Sequence, residues 1–231
     1  MSLLNNQKLI ILDLDGTLYR LQNGSFKKSG IYDAVIKNTK KYIKQKLKVN
    51  NEAVDLIVKE IIRDFGDSIS IGLEKKYRLD RHDYFNYAWD LPVDRYVSYN
   101  YNINLRKIFL KLRKKFKLAI VSDAPLIWIN KVLRKLSIKD VFDSDYLFSG
   151  EGNVRKELNN AFKSIIEKIK IKSSDCVVFG DQLEIDIMPA KKVGMKTVYV
   201  GNKKEASFIA DYVIKNINEV EKALKAIKFY E

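Results

Sequence analysis

An α/β fold built on a doubly wound, mostly parallel sheet, with an α-helical domain inserted into it, is the architecture this sequence predicts. Three observations lead there. The apolar run Leu9 to Leu12 stops abruptly at Asp13-Leu14-Asp15-Gly16-Thr17-Leu18-Tyr19. From Leu105 onward, strand-like and helix-like segments alternate. Between these two regions only helical periodicity appears. Short apolar runs that alternate with amphipathic helices are the mark of parallel strands covered on both faces.

Taken in order, Leu9–Leu12 is the first strand. It is followed by helical periods over Ser29–Leu47 and Asn51–Phe65, and by an aromatic helix over Arg81–Trp89 that Asp80 is placed to cap. The sheet pattern then resumes. Leu118–Val121 reads as a strand, Pro125–Leu136 as a helix with proline in its first turn, and Tyr146–Phe148 as a short strand. Val154–Ile169 is helical, Cys176–Phe179 a strand, Leu183–Val193 a helix closed by Gly194, and Thr197–Val200 a strand. Asp211–Ile214 adds a last short strand, and Asn218 is the expected cap of the final helix. Residues 1–20 and 102–231 therefore form the expected sheet core, and residues 21–101 an inserted helical domain.

Composition narrows the class. The chain has 231 residues, 46% of them apolar, which suits one large core plus an insertion. No stretch approaches the roughly 20 apolar residues of a membrane span, and the start, Met-Ser-Leu-Leu-Asn-Asn, lacks a basic region followed by an apolar one, so a soluble cytoplasmic protein is expected. A lone cysteine, Cys176, sits in an apolar run and reads as a small buried hydrophobe. Lys plus Arg exceed Asp plus Glu by 43 to 29, a net charge of +14 that attracts anions without choosing between phosphorylated metabolites, nucleic acids and acidic surfaces. The densest run, Lys37, Lys40, Lys41, Lys44, Lys46 and Lys48, recurs at helical spacing beside Val35, Ile36, Ile43 and Leu47, the pattern of a solvated helix face rather than a nucleic-acid stripe.

The chemistry gathers at strand ends. Asp13 and Asp15 share one side because strand side chains alternate with period two, and Gly16 lets the chain turn. Alone, this segment also fits a strand closing in an ordinary Asx-type turn. Two further strands, however, end in Ser122 and in Gly180-Asp181, with Asp186 five positions on. In doubly wound sheets, ligands bind at the carboxyl ends of the strands, so Asp13, Asp15, Ser122, Asp181 and Asp186 share a crevice if these strands are neighbours. Two like charges about 4 Å apart repel by roughly 4 kcal/mol at an effective dielectric near 20, so such a cluster implies a divalent cation. Oxygen ligands and a phosphate substrate favour Mg²⁺ over zinc, which prefers the thiolates and imidazoles this chain almost lacks. His82, the one histidine, falls on the inserted aromatic helix and is expected to have a surface or packing role.

Asp-x-Asp-Gly-Thr-Leu-Tyr after a strand, a strand-end Ser122, a basic Lys156 ahead of a helix and Gly-Asp-x-x-x-x-Asp, in that order, resemble the haloacid dehalogenase-like hydrolase superfamily along the full chain. The resemblance implies a Rossmann-like core and makes the helical insert a cap domain. It further implies that Asp13 attacks phosphorus to form an aspartyl phosphate, while Asp15 protonates the leaving alcohol and then activates water. Asp13, the Asp15 carbonyl and Asp181 would hold Mg²⁺, with Asp186 supporting that shell. Ser122 and the Gly16 turn would bind phosphoryl oxygens, Thr17 would steady the turn, and Lys156, with Phe162 at the family's spacing, would neutralise charge.

Two positions depart from the family pattern. Glu157 follows the lysine where proline is common, and Asp123 follows Ser122 where asparagine is frequent, which places an extra anion beside a phosphate site unless it pairs with Lys156 or points away. Asp15 favours a phosphate monoester hydrolase; a phosphomutase uses the same pair. Phe65 to Leu73, Asp83-Tyr84 and Asp90-Leu91-Pro92 loosely resemble the cap of pyrimidine 5′-nucleotidase-like members. Tyr77, Tyr84, Phe85, Tyr87, Trp89, Tyr96, Tyr99 and Tyr101 could stack on a base or form the insert's own core. The expected partner is thus a small phosphorylated molecule, possible nucleoside monophosphates included. A basic nucleic-acid or partner-binding protein on a retired hydrolase scaffold is the alternative from another class. Nothing in the sequence specifies an oligomeric state.

Overall fold

The computed structural model describes residues 8–98, 104–152, 155–156 and 161–229. The first six residues, Tyr99, Tyr101, Glu157 and the beginning of the helix expected from Val154 lie outside them. Two compact units result: one made by the chain up to Leu21 and from Val97 onward, the other by Gln22–Tyr96.

The larger unit is a sheet of six parallel strands, β1 (Leu9–Leu12), β2 (Lys117–Val121), β3 (Leu147–Phe148), β4 (Cys176–Gly180), β5 (Lys196–Val200) and β6 (Tyr212–Ile214), in the order β3-β2-β1-β4-β5-β6. The chain builds outward from β1 through β2 to β3, then returns to the other flank of β1 with β4. The switch point therefore lies between β1 and β4, where ligands bind in such sheets. All four residues of β1 and all five of β4 are buried, as strands covered on both faces must be. Register pairs Leu12 with both Ile120 and Phe179, so Asp13, Ser122 and Asp181 emerge within a residue or two of one another along a single sheet edge.

In chain order the helices are α1 (Gly30–Leu47), α2 (Asn51–Phe65), α3 (Ile69–Tyr77), α4 (Arg81–Ala88), α5 (Leu105–Arg113), α6 (Leu126–Lys135), α7 (Ala161–Ile169), α8 (Met188–Lys192), α9 (Ala206–Ile209) and α10 (Val220–Ala226). None of the described helices is long and apolar enough to cross a membrane. One face of the sheet carries Leu9, Ile11, Val121, Val178 and Cys176 against Phe162 and Ile165 of α7. Cys176 is buried there, and burial pushes its thiol up to about 12, consistent with a packing role.

Strand boundaries lie within a residue of expectation, but three local features differ. Pro125 is the N-cap of α6 rather than its first helical residue. The segment after β4 opens as a π turn, Leu183–Ile187, before α8. Pro189 has no N–H to give the Ile185 carbonyl and its ring crowds that position, so the preceding turn widens. Finally, Asn216, not Asn218, caps the last helical segment: its Oδ1 accepts the Asn218 N–H at 3.1 Å, because a short 3₁₀ turn, Ile217–Glu219, precedes α10.

The smaller unit is helical. Ser29 caps α1, Asn50 caps α2 through the Ala53 N–H at 2.9 Å, and Asp80 caps α4 through the Asp83 N–H at 2.7 Å. Helix α3 has no counterpart in the expected elements because Gly72 weakens its helical signal. That glycine lets α3 lie close to α2, since a Cβ there would stand 2.7 Å from Ile61 Cγ2. Tyr84 and Phe85 are buried, with Tyr84 packed edge-on to Tyr42 at 5.6 Å and Trp89 stacked on Phe26 at 5.9 Å. Among the described aromatics of residues 77–96, Tyr87 alone is exposed. The lysines of α1 face solvent; Lys40 pairs with Asp55 at 2.7 Å, Lys46 with Asp83 at 2.6 Å, and Lys44 donates to Asn51. His82 is exposed on α4.

Candidate active site

The segment after β1 folds back on itself. Gly16 N–H donates to the Tyr19 carbonyl and Leu18 N–H to the Leu14 carbonyl, so residues 13–19 form a tight loop over the strand tip. Gly16 sits at φ +99°, and a Cβ there would lie 2.1 Å from Asp181 Oδ2. Only glycine permits both the turn and the approach of Asp181.

Asp13 is buried at 4% exposure, anchored through its N–H to the Phe179 carbonyl of β4 at 2.9 Å. Its Oδ2 accepts from the Thr17 hydroxyl at 2.8 Å, and its Oδ1 accepts from Lys156 Nζ. Thr17 thus orients the Asp13 carboxylate itself. The Lys156 ammonium also donates to Asp186 Oδ1 at 2.8 Å. Burial works against that charge, but the facing Asp13, Asp186 and Asp123 carboxylates outweigh it and hold the ammonium well above the ordinary lysine range. Asp186 is fully buried and directs Oδ2 to the Gln182 N–H at 3.1 Å. Gly180 makes room for it, since a Cβ at that position would stand 2.3 Å from Asp186 Cβ. Burial raises Asp186 to about 6, with Lys156 opposing and Asp13 adding to the rise.

Asp181 completes the cluster at the tip of β4. Oxygen atoms of Asp13, Asp181 and Asp186 lie within 4.8 Å of one another, and Asp181 Oδ1 is buried with no hydrogen-bond partner among the described residues. Burial, then the charges of Asp13 and Asp186, push Asp181 up to about 9. An orphaned oxygen whose ionisation is so disfavoured fits a cation as its partner. Every donor is oxygen, while Cys176 stands at the opposite end of β4, so a hard divalent ion such as Mg²⁺ suits the set. Because Asp186 already uses both oxygens on Lys156 and Gln182, it fits a supporting place. The side chain of Asp15 lies outside this cluster, which leaves its backbone carbonyl as its available donor.

Asp15 points elsewhere. Its Oδ1 accepts from Trp128 Nε1 at 2.8 Å and from the Tyr19 hydroxyl. Burial raises it to about 6 against the lowering effect of those two donors, with the Asp13 charge adding. A carboxyl poised near neutrality can both give and take a proton.

Ser122 is buried beside this group, its N–H on the Phe148 carbonyl at 3.0 Å and its Oγ accepting from the Ala124 N–H at 3.1 Å. Asp123 does not aim an unpaired charge at the site. Its Oδ1 accepts the Lys156 backbone N–H at 2.8 Å and lies 4.0 Å from Arg155 Nε, so it holds the segment that carries the lysine. The structure therefore brings Asp13, Gly16, Thr17, Ser122, Lys156, Asp181 and Asp186 to one place and sets the Asp15 carboxyl beside them. Trp128, Tyr19 and Gly180 had no role in the sequence reading. Tyr19 lay inside the motif, but nothing local linked Trp128 to a carboxylate 113 positions away.

A parallel sheet with this carboxylate and lysine cluster at its switch point is the frame of a hydrolase, and the chain belongs to the haloacid dehalogenase-like hydrolases, whose family model matches residues 7–194. It is similar to proteins named glyceraldehyde 3-phosphate phosphatase from Pyrococcus furiosus (28% identical, covering 94% of this chain and 93% of the relative) and from Methanocaldococcus jannaschii (28% identical, covering 96% and 98%). Among solved structures, a HAD phosphatase from Thermococcus onnurineus aligns over 95% of this chain and 98% of its own with a TM-score of 0.57 at 22% identity. A 2-haloacid dehalogenase from Pseudomonas syringae aligns over 95% and 98% with a TM-score of 0.60 at 16% identity. Phosphatase and dehalogenase share this fold, so the fold alone does not choose the reaction.

Proposed function

We propose that this hydrolase is an Mg²⁺-dependent phosphatase that cleaves a small phosphate monoester through a phosphorylated Asp13. The observation that carries the reading is the pairing of a lysine-bound, buried Asp13 with an Asp15 carboxyl held near neutrality two residues away. Asp13, Asp181 and the Asp15 carbonyl would hold the ion, with Asp186 behind them. When bound, Mg²⁺ supplies positive charge that offsets the crowded carboxylates and draws phosphate oxygens in. Lys156 shields Asp13 from the incoming phosphate dianion, and Thr17 keeps its carboxylate aligned for in-line attack. Ser122 Oγ and the backbone of the turn that Gly16 opens would bind phosphoryl oxygens. As an Asp13 oxygen bonds to phosphorus, the ester bond breaks toward the leaving oxygen, which takes the proton from Asp15. The resulting Asp15 carboxylate then takes a proton from water, whose oxygen displaces Asp13 and releases inorganic phosphate.

A dehalogenase needs no acid two residues after its nucleophile, so Asp15 favours phosphate esters over carbon–halogen bonds. The names of the relatives support a small phosphorylated aldehyde or sugar. Burial of Tyr84, Phe85 and Trp89 supports the aromatic stretch as core of its own unit and weakens the case for base stacking. The helical unit is proposed to act as a cap that excludes water during chemistry. A phosphomutase would use the same two aspartates, and added acceptor alcohols distinguish it by suppressing phosphate release. The test is turnover of p-nitrophenyl phosphate with Mg²⁺, followed by a screen of triose, sugar and nucleoside monophosphates. Loss of activity in EDTA and in Asp13→Asn is expected; activity that survives both would overturn the reading.

A further inference from the structure

We infer that Trp128, with Tyr19, is a positioning residue that confines the transferable proton of Asp15 to Oδ2, and so selects the oxygen that serves the leaving group. The inference rests on the acid role proposed for Asp15 and adds the residues that aim it.

Oδ1 of Asp15 accepts two hydrogen bonds at once, from the indole N–H of Trp128 at 2.8 Å and from the Tyr19 hydroxyl. A carboxyl oxygen has two lone-pair directions in its plane, and two donors already draw on those of Oδ1. A hydrogen on Oδ1 would need one of those directions. The indole can only donate, and the Tyr19 hydroxyl would have to reverse and give up its own bond to Oδ1 to accommodate such a hydrogen, whereas a hydrogen on Oδ2 disturbs neither donor. The proton of the acid form is therefore carried by Oδ2.

Both donors are fixed in place. Trp128 is fully buried on α6, which begins at Leu126 behind the Pro125 cap. Tyr19 is 2% exposed, and its carbonyl accepts the Gly16 N–H at 3.1 Å, so hydroxyl and backbone are tied to the same turn. The carboxyl thus cannot rotate to exchange its oxygens without breaking two hydrogen bonds to buried donors. A rotating carboxyl would offer its proton from either oxygen; this one keeps it on a single fixed oxygen before substrate arrives. In the transfer step the Asp15 Oδ2–H bond breaks, its proton joins the leaving ester oxygen, the ester bond's electron pair stays on that oxygen, and Asp15 is left as a carboxylate held by the same two donors.

Leaving groups of different basicity test this. An alkoxide needs its proton in the transition state, whereas p-nitrophenolate departs without one. The readout is kcat/KM, which reports phosphoryl transfer to Asp13, measured on glycerol 3-phosphate and on p-nitrophenyl phosphate. Trp128→Phe keeps an aromatic ring and removes the donor; Tyr19→Phe removes only a hydroxyl and guards against a folding defect in the first variant. The expected result for each is a loss of about ten-fold or more on glycerol 3-phosphate and at most about three-fold on p-nitrophenyl phosphate, a part of the roughly 10²–10⁴ that an aligned acid supplies. Equal losses on the two esters in both variants, or no loss on either, would overturn the inference. If the parent enzyme with Mg²⁺ turns over neither ester nor any other phosphate monoester, it is the phosphatase reading that fails instead.

Discussion

Lys156 donates its ammonium to Asp186 Oδ1 at 2.8 Å while the same nitrogen holds Asp13, so one buried cation joins two carboxylates that stand 173 positions apart in the chain. Each partner is nearly without solvent exposure. Removing the cation should therefore be felt in folding as well as in chemistry. Lys156→Met keeps much of the aliphatic stem and is expected to destabilise by about 3–5 kcal/mol, the usual consequence of leaving a buried charge without its partner. Turnover should fall by at least about a hundred-fold. Thermal melting and p-nitrophenyl phosphate hydrolysis check both, and a variant that melts with the parent would contradict the account of Lys156.

Stability without metal should fall as pH rises. Asp15 and Asp186 are raised to about 6 and Asp181 to about 9, so the folded protein keeps protons that the unfolded chain releases near pH 4. Their contribution is fully present below the unfolded value and is lost as pH climbs through 6 and then through 9. At the proposed site Mg²⁺ would replace the proton on Asp181, so the gain in melting temperature on adding it should be larger at about pH 8.5 than at about pH 5.5. Differential scanning calorimetry with and without Mg²⁺ reads this directly. Asp181→Asn should flatten the difference; an equal Mg²⁺ shift at both pH values would speak against Asp181 as its anchor.

Two glycines of similar backbone conformation should respond differently to alanine. At Gly24, φ +73°, a Cβ meets nothing within 4 Å, so Gly24→Ala should lower stability by only about 1 kcal/mol and leave activity intact. At Gly16 the new Cβ would collide with Asp181 Oδ2 at 2.1 Å. Gly16→Ala should weaken Mg²⁺ binding by at least about ten-fold, measured by isothermal titration, and abolish most turnover. Equal behaviour of the two variants would mean that Asp181 moves aside without consequence.

Asp15→Asn separates the two halves of the proposed reaction. Phosphoryl transfer from p-nitrophenyl phosphate needs little acid, but hydrolysis of the phosphorylated Asp13 needs a base. A burst of p-nitrophenolate followed by turnover about 10²–10⁴ times slower is expected, with one phosphoryl group retained on the protein by mass spectrometry. Steady turnover with no burst and no trapped phosphoryl group would argue against Asp15 as the base.

The basic face of α1 should be silent in all of these assays. Lys40 and Lys46 form exposed pairs with Asp55 and Asp83, and water and salt screen such pairs so that they add little to stability. Lys40→Ala and Lys46→Ala should leave both the melting temperature and kcat/KM essentially unchanged. Oligonucleotide binding that persists in Asp13→Asn and weakens steeply with salt would instead favour the binding-protein alternative.

Much of the site could be seen in the chain because its signals are local. Asp13, Asp15, Gly16 and Thr17 fall within five consecutive residues, and Asp181 and Asp186 are joined by one turn. The strands announced themselves as short apolar runs, since a sheet covered on both faces needs unbroken hydrophobicity rather than alternation. What escaped was either long-range or backbone-mediated. Asp123 looked like a stray anion until its bond to the Lys156 N–H was visible, because a main-chain donor leaves no mark on residue identity. The π turn before α8 depends on how Pro189 perturbs the carbonyls around it, which helical periodicity does not register.

By itself, then, the sequence determined the class of fold, the helical insert after the first motif and the residue types proposed to carry phosphate chemistry, since period, punctuation and motif spacing are properties of neighbouring residues. Tertiary structure alone decided that β1 lies between β2 and β4, that Lys156 bridges Asp13 and Asp186, and that Trp128 reaches Asp15 across 113 positions. These depend on which strands pair and which side chains are buried together. Burial is also what makes them matter, because only in a water-poor site does one ammonium or one indole N–H govern the charge of a carboxylate.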